Sequence, residues 1–157
     1  MKPIYIFDID GTLANVEHRV HFIQQNLKDW KSFFSTCERD EPIFPVIETL
    51  KKLRKGGAEI WIWSGRSDEV KKETVAWLRK YDCSYSGLFL GQFSFDSFKM
   101  RKVGDHRPDT ELKYEWLSQI EPPEFNRIVG VFEDRASVVD MWRKAGITCF
   151  QVAPGEF

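Results

Sequence analysis

An uninterrupted apolar run, Ile4-Tyr5-Ile6-Phe7, breaks off into two aspartates one residue apart, and Gly11 and Thr12 follow at once. Two β-branched and two aromatic residues with no polar interruption form the pattern of a strand buried on both faces, as in a parallel sheet covered by helices on either side. The strand therefore ends in a charged loop. Strand side chains alternate, so Asp8 and Asp10 lie on one side if the strand continues, and a turn at Gly11 lets both carboxylates converge beyond its end. Carboxylates this close repel unless a cation sits between them, and their oxygens suit a hard ion such as Mg²⁺.

The same pattern recurs downstream. Glu59-Ile60-Trp61-Ile62-Trp63 reads as a strand running into Ser64-Gly65-Arg66, and Arg127 to Phe132 as another ending in Glu133-Asp134-Arg135. Ile147 to Val152 reads as a terminal strand and Leu88 to Leu90 as a short one, while 91–99, rich in Phe and Ser, matches no element. Helical spacing of Val46, Ile47, Leu50 and Leu53 follows Pro42 and Pro45 and stops at Gly56-Gly57. A second helix carries Val70, Thr74, Trp77 and Leu78 behind a cap at Ser67 or Asp68. A third carries Leu112, Trp116, Leu117 and Ile120, with Pro108 in its first turn and Pro122-Pro123 as its stop; the last runs from Ala136 to Ala145 and closes at Gly146. Strands alternating with helices of crossover length predict an α/β fold with a doubly wound, Rossmann-like parallel sheet.

Residues 14–41 interrupt that alternation. Val16, Val20, Ile23 and Leu27 fall at helical spacing and Trp30, Phe33 and Phe34 follow, predicting a small helical insertion after the first strand. Its aromatics either pack on one another or roof a pocket. With 157 residues the expectation is one domain, 1–157, carrying this insertion.

The 23 basic and 24 acidic residues nearly cancel, so a polynucleotide substrate would have to be held by a local basic patch. The opening apolar run is too short for a signal-peptide core, and no stretch is long enough to span a bilayer. Cys37, Cys83 and Cys149 are scattered without metal spacing and read as reduced thiols, so a cytoplasmic protein is expected. No GxxxxGK[ST] occurs, so the phosphate loop of a kinase is absent from this chain.

In a parallel α/β sheet ligands bind beyond the carboxyl ends of the strands. Asp8 and Asp10, Ser64 and Arg66, the basic loop from Arg101 to Lys113, and Glu133 with Asp134 all fall there. Carboxylates, a hydroxyl and cations gathered at one edge fit phosphoryl transfer to a carboxylate nucleophile, which needs a metal, donors for the equatorial oxygens and an in-line attacking group.

DIDGTL, the serine of WSGR, a lysine at the start of a later helix and the acidic pair of VFEDR resemble the four motifs of the haloacid dehalogenase (HAD) superfamily of phosphatases. Within it the chain is similar to the 3′-phosphatase domain of phage polynucleotide kinase/phosphatase. That likeness extends to Arg19, to Arg101, Gly104-Asp105 and Arg107, and to the tail DRASVVDMWRKAGITCFQVAPGEF. The resemblance implies an HAD-type fold and Mg²⁺-dependent hydrolysis of a phosphomonoester through an aspartyl-phosphate. It makes Asp8 the nucleophile and a metal ligand, and Asp10 the general acid and then base, meeting the metal through its backbone carbonyl. Ser64 and Lys113 would hold the phosphoryl oxygens, and Asp134 would complete the metal set. Thr12, Arg19, Gly65, Arg66 and Arg101 would contact the substrate. Glu133 stands where the phage protein has an aspartate.

The expected substrate is the 3′-phosphate of a polynucleotide end, with a separate kinase as a possible partner and no membrane. The alternatives are a phosphatase of nucleoside monophosphates and a catalytically silent domain that binds phosphorylated ends.

Overall fold

The computed structural model describes residues 1–83, 85 and 96–155. Along the chain come β1 (Ile4–Phe7), β2 (Ala14–Asn15), α1 (Glu17–Gln24), α2 (Trp30–Ser35), β3 (Glu41–Pro42), α3 (Phe44–Lys55), β4 (Glu59–Ser67) and α4 (Lys71–Lys80). They are followed by β5 (Phe98–Arg101), α5 (Asp109–Ser118), α6 (Pro122–Phe125), β6 (Ile128–Arg135), α7 (Ala136–Lys144) and β7 (Cys149–Gly155). Five strands form one parallel sheet in the order β5-β4-β1-β6-β7, with β1 at its centre. This is the doubly wound α/β fold expected from the alternation of elements.

Period-two alternation sorts the strand side chains onto two faces. Ile4, Ile6, Trp61, Trp63 and Val131 pack against Leu112, Trp116 and Leu117 of α5 and Val138, Val139 and Trp142 of α7. Phe7, Ile60 and Ile62 pack on the opposite face against Val46, Ile47 and Leu50 of α3 and Trp77 and Leu78 of α4. The same parity turns Asp8, just past the end of β1, and Glu133, within β6, toward the α5 face, and that is the face on which Lys113 lies. The register makes them neighbours: Phe7 pairs with Phe132, and the Asp8 amide donates to the Phe132 carbonyl at 3.0 Å.

Between β1 and α3 the chain leaves the sheet and returns. β2 and β3 pair antiparallel, Ala14 with Pro42 and Asn15 with Glu41, and α1 and α2 lie between them. The helical spacing extends to Leu27, but α1 stops at Gln24 and Leu27 is exposed.

The proline expectations shift by a few residues. Pro108 occupies the capping position just before α5, in an extended conformation (ψ 148°). α5 already ends at Ser118, and Pro122 opens the short α6, where its fixed φ suits a first turn. Phe98–Arg101 forms the edge strand β5, which the sequence had left unassigned before Arg101. The strand expected over Leu88 to Leu90 lies outside the described residues. Cys37, Cys83 and Cys149 are free and buried. Among the described residues no helix is long and apolar enough to cross a membrane.

Candidate active site

β1, β4 and β6 end at one edge of the sheet, and a cleft of about 620 Å³ opens above them. Asp8, Asp10, Glu133 and Asp134 form its floor, Lys28, Trp30, Phe33 and Phe34 one lip, and Arg101, His106 and Arg107 the other. Asp8 is buried, and Lys113 reaches it from α5, with Nζ 2.7 Å from Asp8 Oδ1 and 2.6 Å from Glu133 Oε2. Glu133 Oε1 accepts the backbone N–H groups of Asp134 and Arg135 at 3.2 and 3.4 Å. Glu133 is therefore satisfied by protein donors on both oxygens and fixes the Lys113 ammonium beside Asp8.

Carboxylate oxygens of Asp8, Glu133 and Asp134 lie within 4.8 Å of one another. One ammonium, paired with two of these three buried carboxylates, cannot offset all their charge. Burial, reinforced by the charge of Glu133 and opposed by Lys113, pushes the Asp8 carboxyl up to about 8. Burial and the Asp8 charge push Asp134 up to about 6. Burial also raises Glu133, against the pull of Lys113. Two glycines make room for Asp134, since a Cβ at Gly11 or Gly155 would overlap its carboxylate. Gly11 also has φ +81°, a backbone conformation that other residues adopt at a cost. Thr12 Oγ1 donates to Asp134 Oδ1 at 3.4 Å.

The Asp10 carboxylate, also at the cleft floor, is held by a different set of partners. Its Oδ1 accepts from Arg19 Nη2 at 2.8 Å and Arg66 Nε at 2.7 Å. Burial opposes its ionisation, but these two guanidinium groups outweigh it and hold Asp10 below the usual carboxylate range. Both arginines are also tied to Asp40. Arg19 grips both Asp40 oxygens at 2.7 Å, and Arg66 Nη2 donates to Asp40 Oδ2 at 2.6 Å. Two cations and two anions thus form one set in which Arg19, Arg66 and Asp40 are buried and Asp10 reaches the cleft, with His18 Nε2 2.8 Å from Asp40 Oδ1. Trp77 Nε1 donates to the Asp40 carbonyl at 2.8 Å and secures it to α4.

Several residues expected at the substrate therefore have internal partners. Arg19 and Arg66 are wholly buried, and each of their nitrogens is engaged by Asp10, Asp40, Phe33 or Thr74. Arg101 reaches the cleft wall, but it donates to the carbonyls of Gly65, Asp105 and Arg107 and pairs with Asp109. Gly65 lies against Asp109, where a Cβ would clash. Ser64, at the turn of β4, accepts the Arg66 amide on Oγ at 3.2 Å.

The sequence passed over Asp40, which stands between a short 3₁₀ turn and β3 where no periodicity singles out a residue. Asp109 opens α5, and its carboxylate also bridges Arg101 and Arg135, a pairing that no sequence pattern marks. The sequence left the role of Glu133 open, although the adjacent acidic pair was visible.

Residues 2–157 match the model of the polynucleotide kinase PNKP phosphatase domain, an HAD family. The chain belongs to this family. This phosphatase domain is 30% identical over 149 residues to a protein of Autographa californica nuclear polyhedrosis virus provisionally described as a bifunctional polynucleotide kinase/RNA ligase. The match covers 92% of the domain and 18% of the viral protein. A chain in the solved structure of a Pnkp1/Rnl/Hen1 complex aligns with TM-score 0.78 and 28% identity over 99% of the domain and 48% of that chain. The phosphatase domain thus spans less than half of these relatives. The class C acid phosphatase of Bacillus anthracis, at TM-score 0.65 and 16% identity over 99% of the domain and 68% of that chain, shares the fold.

Proposed function

We propose that this domain is a Mg²⁺-dependent phosphomonoesterase that removes the 3′-phosphate of a polynucleotide end through a covalent phosphate on Asp8. The observation that carries the reading is the setting of Asp8. It is a buried carboxylate at the end of the central strand, 2.7 Å from the Lys113 ammonium, on the floor of a cleft shared with two further buried carboxylates. Family membership supports the phosphatase chemistry. The names of the viral relative and of the Pnkp1/Rnl/Hen1 complex support a nucleic-acid end, with a kinase and a ligase working beside this domain.

The donor set fits a hard divalent cation, because hard oxygens are gathered where one lysine leaves negative charge uncompensated. Asp8, Asp134 and the backbone carbonyl of Asp10 would hold it, while Glu133 is spent on Lys113 and two amides. When bound, Mg²⁺ offsets the charge of the phosphate dianion and favours ionised Asp8.

Asp8 attacks phosphorus in line with the ester oxygen, and the P–O bond to the 3′ oxygen breaks as an acyl phosphate forms on Asp8. Asp10 gives its proton to the departing 3′ oxygen. It then takes one from the water that attacks phosphorus, which restores the Asp8 carboxylate and releases inorganic phosphate. Arg19 and Arg66 keep Asp10 ionised in the free protein, the form that activates water. Arrival of a phosphate dianion opposes that field and returns a proton to Asp10. Lys113 and Ser64 hold phosphoryl oxygens, residues 14–41 act as a small cap, and the free cysteines fit the reducing cytoplasm.

The test compares 3′-phosphorylated DNA and RNA oligonucleotides with 3′ and 5′ mononucleotides in Mg²⁺. Hydrolysis of the oligonucleotide ends, lost on chelation and in Asp8→Asn, is expected. Cleavage of mononucleotides alone makes the domain a nucleotidase, and no cleavage of any ester makes it a silent binder.

A further inference from the structure

The insertion presents aromatic rings to the same cleft that holds the catalytic carboxylates. Asp29 starts α2 by accepting the Ser32 amide at 3.0 Å, and this fixes Trp30 at the first helical position. Trp30 stacks on Phe34 (centroids 5.9 Å apart, planes 25°) and meets Phe33 edge-on at 5.8 Å. Phe33 is buried, and the Arg19 guanidinium lies 4.1 Å over its ring, so this aromatic group is joined to the set of charges that holds Asp10. Trp30 itself remains 41% exposed. Lys28 Nζ stands 5.6 Å over its ring, and Lys31 lines the same lip.

A substrate whose phosphate sits at Asp8 must leave the cleft past one of its two lips. Among the described lining residues every indole and phenyl ring belongs to the insertion, while the other lip offers Arg101, His106 and Arg107. With a net charge of −1 the chain as a whole offers a polyanion no attraction, so affinity must come from local contacts. An exposed indole with the Lys28 ammonium over its ring and Lys31 on the same lip matches an unpaired base and its flanking phosphate, because the flexible lysines can turn to the phosphate while a base takes the ring face, and every base has such a face.

We propose that Trp30, backed by Phe33 and Phe34 and flanked by Lys28 and Lys31, is the stacking platform for the nucleobase next to the scissile phosphate of a single-stranded polynucleotide end. The site then selects for the presence of a base and is tolerant of its identity. This inference rests on the 3′-phosphatase reading above.

The experiment compares 3′-phosphorylated single-stranded oligonucleotides that end in an ordinary nucleotide or in an abasic one, with a small phosphomonoester lacking any base as a third substrate. For the wild type the abasic end should show a KM higher by about tenfold to a hundredfold, the value of one base–aromatic stack. Trp30→Ala should erase that difference by weakening only the ordinary end, and Trp30→Phe, which retains a ring, should preserve most of it. A wild type that handles both ends equally, or a Trp30→Ala change that weakens both alike, overturns the platform and makes Trp30 a structural roof. A wild type that cleaves the small ester but neither oligonucleotide end overturns the substrate reading itself, and the platform with it.

Discussion

Replacing Asp8 with asparagine should make the metal-free domain more stable while ending its turnover. Burial is the main cause of the high proton affinity of Asp8, with Glu133 adding to it and Lys113 opposing it, and the carboxyl rises from 3.8 to about 8. In the unfolded chain the same group ionises near its ordinary value. Neutral pH lies about three units above that free midpoint, so unfolding there releases the proton that the fold retains, and at about 1.4 kcal/mol per pH unit the fold forgoes up to about 4 kcal/mol. The sign follows from a raised folded value: the penalty is absent below about pH 4, grows through neutrality and levels off above about pH 8. Asparagine keeps the volume and an oxygen for the Lys113 ammonium. Urea unfolding in the presence of a chelator should show Asp8→Asn gaining about 2–4 kcal/mol near pH 7 and almost nothing near pH 4. Added Mg²⁺ should then raise the stability of the wild type more than that of the variant. A variant less stable than wild type at neutral pH would mean that an ionised Asp8–Lys113 pair favours the fold, and would refute the reasoning.

Asp40→Asn leaves Arg19 and Arg66 buried with Asp10 as their remaining carboxylate, at an expected cost of about 3–5 kcal/mol in the denaturant midpoint. Lys51→Ala at the exposed Glu48 pair should change stability by less than about 1 kcal/mol in the same assay. Lys113→Met should lower kcat by about 10²–10³, and adding Glu133→Gln should recover thermal stability without recovering rate, because it removes one of the buried charges that Lys113 balanced. Gly11→Ala pushes a methyl group into the Asp134 carboxylate at a positive φ, so the divalent-cation concentration for half-maximal activity should rise at least about tenfold.

Much of the fold was legible because the core strands carry their instructions locally. The alternation in Ile60-Trp61-Ile62-Trp63 states that both faces are covered, and Gly56-Gly57 and Gly146 mark helix ends where φ turns positive at Gly57 and Gly146. β5 was missed because Phe98-Lys99-Met100-Arg101 mixes charge into an edge position, where Lys99 stays buried through an ion pair with Asp96. The carboxylates of the site were legible from their places at strand ends. Their partners were not, because a pairing such as Arg19 with Asp40 depends on how the insertion folds back through the β2–β3 pair onto α4. That return path turns two arginines expected at the substrate into the support of Asp10.

The steric course at phosphorus tests the role of Asp8 most directly. Hydrolysis of a 3′-thiophosphate made chiral with two oxygen isotopes, run with Mg²⁺ in water of the third isotope, should release inorganic thiophosphate with retained configuration, since attack by Asp8 and then by water inverts phosphorus twice. Inversion would show that water attacks the ester in a single step and would contradict a phosphorylated Asp8.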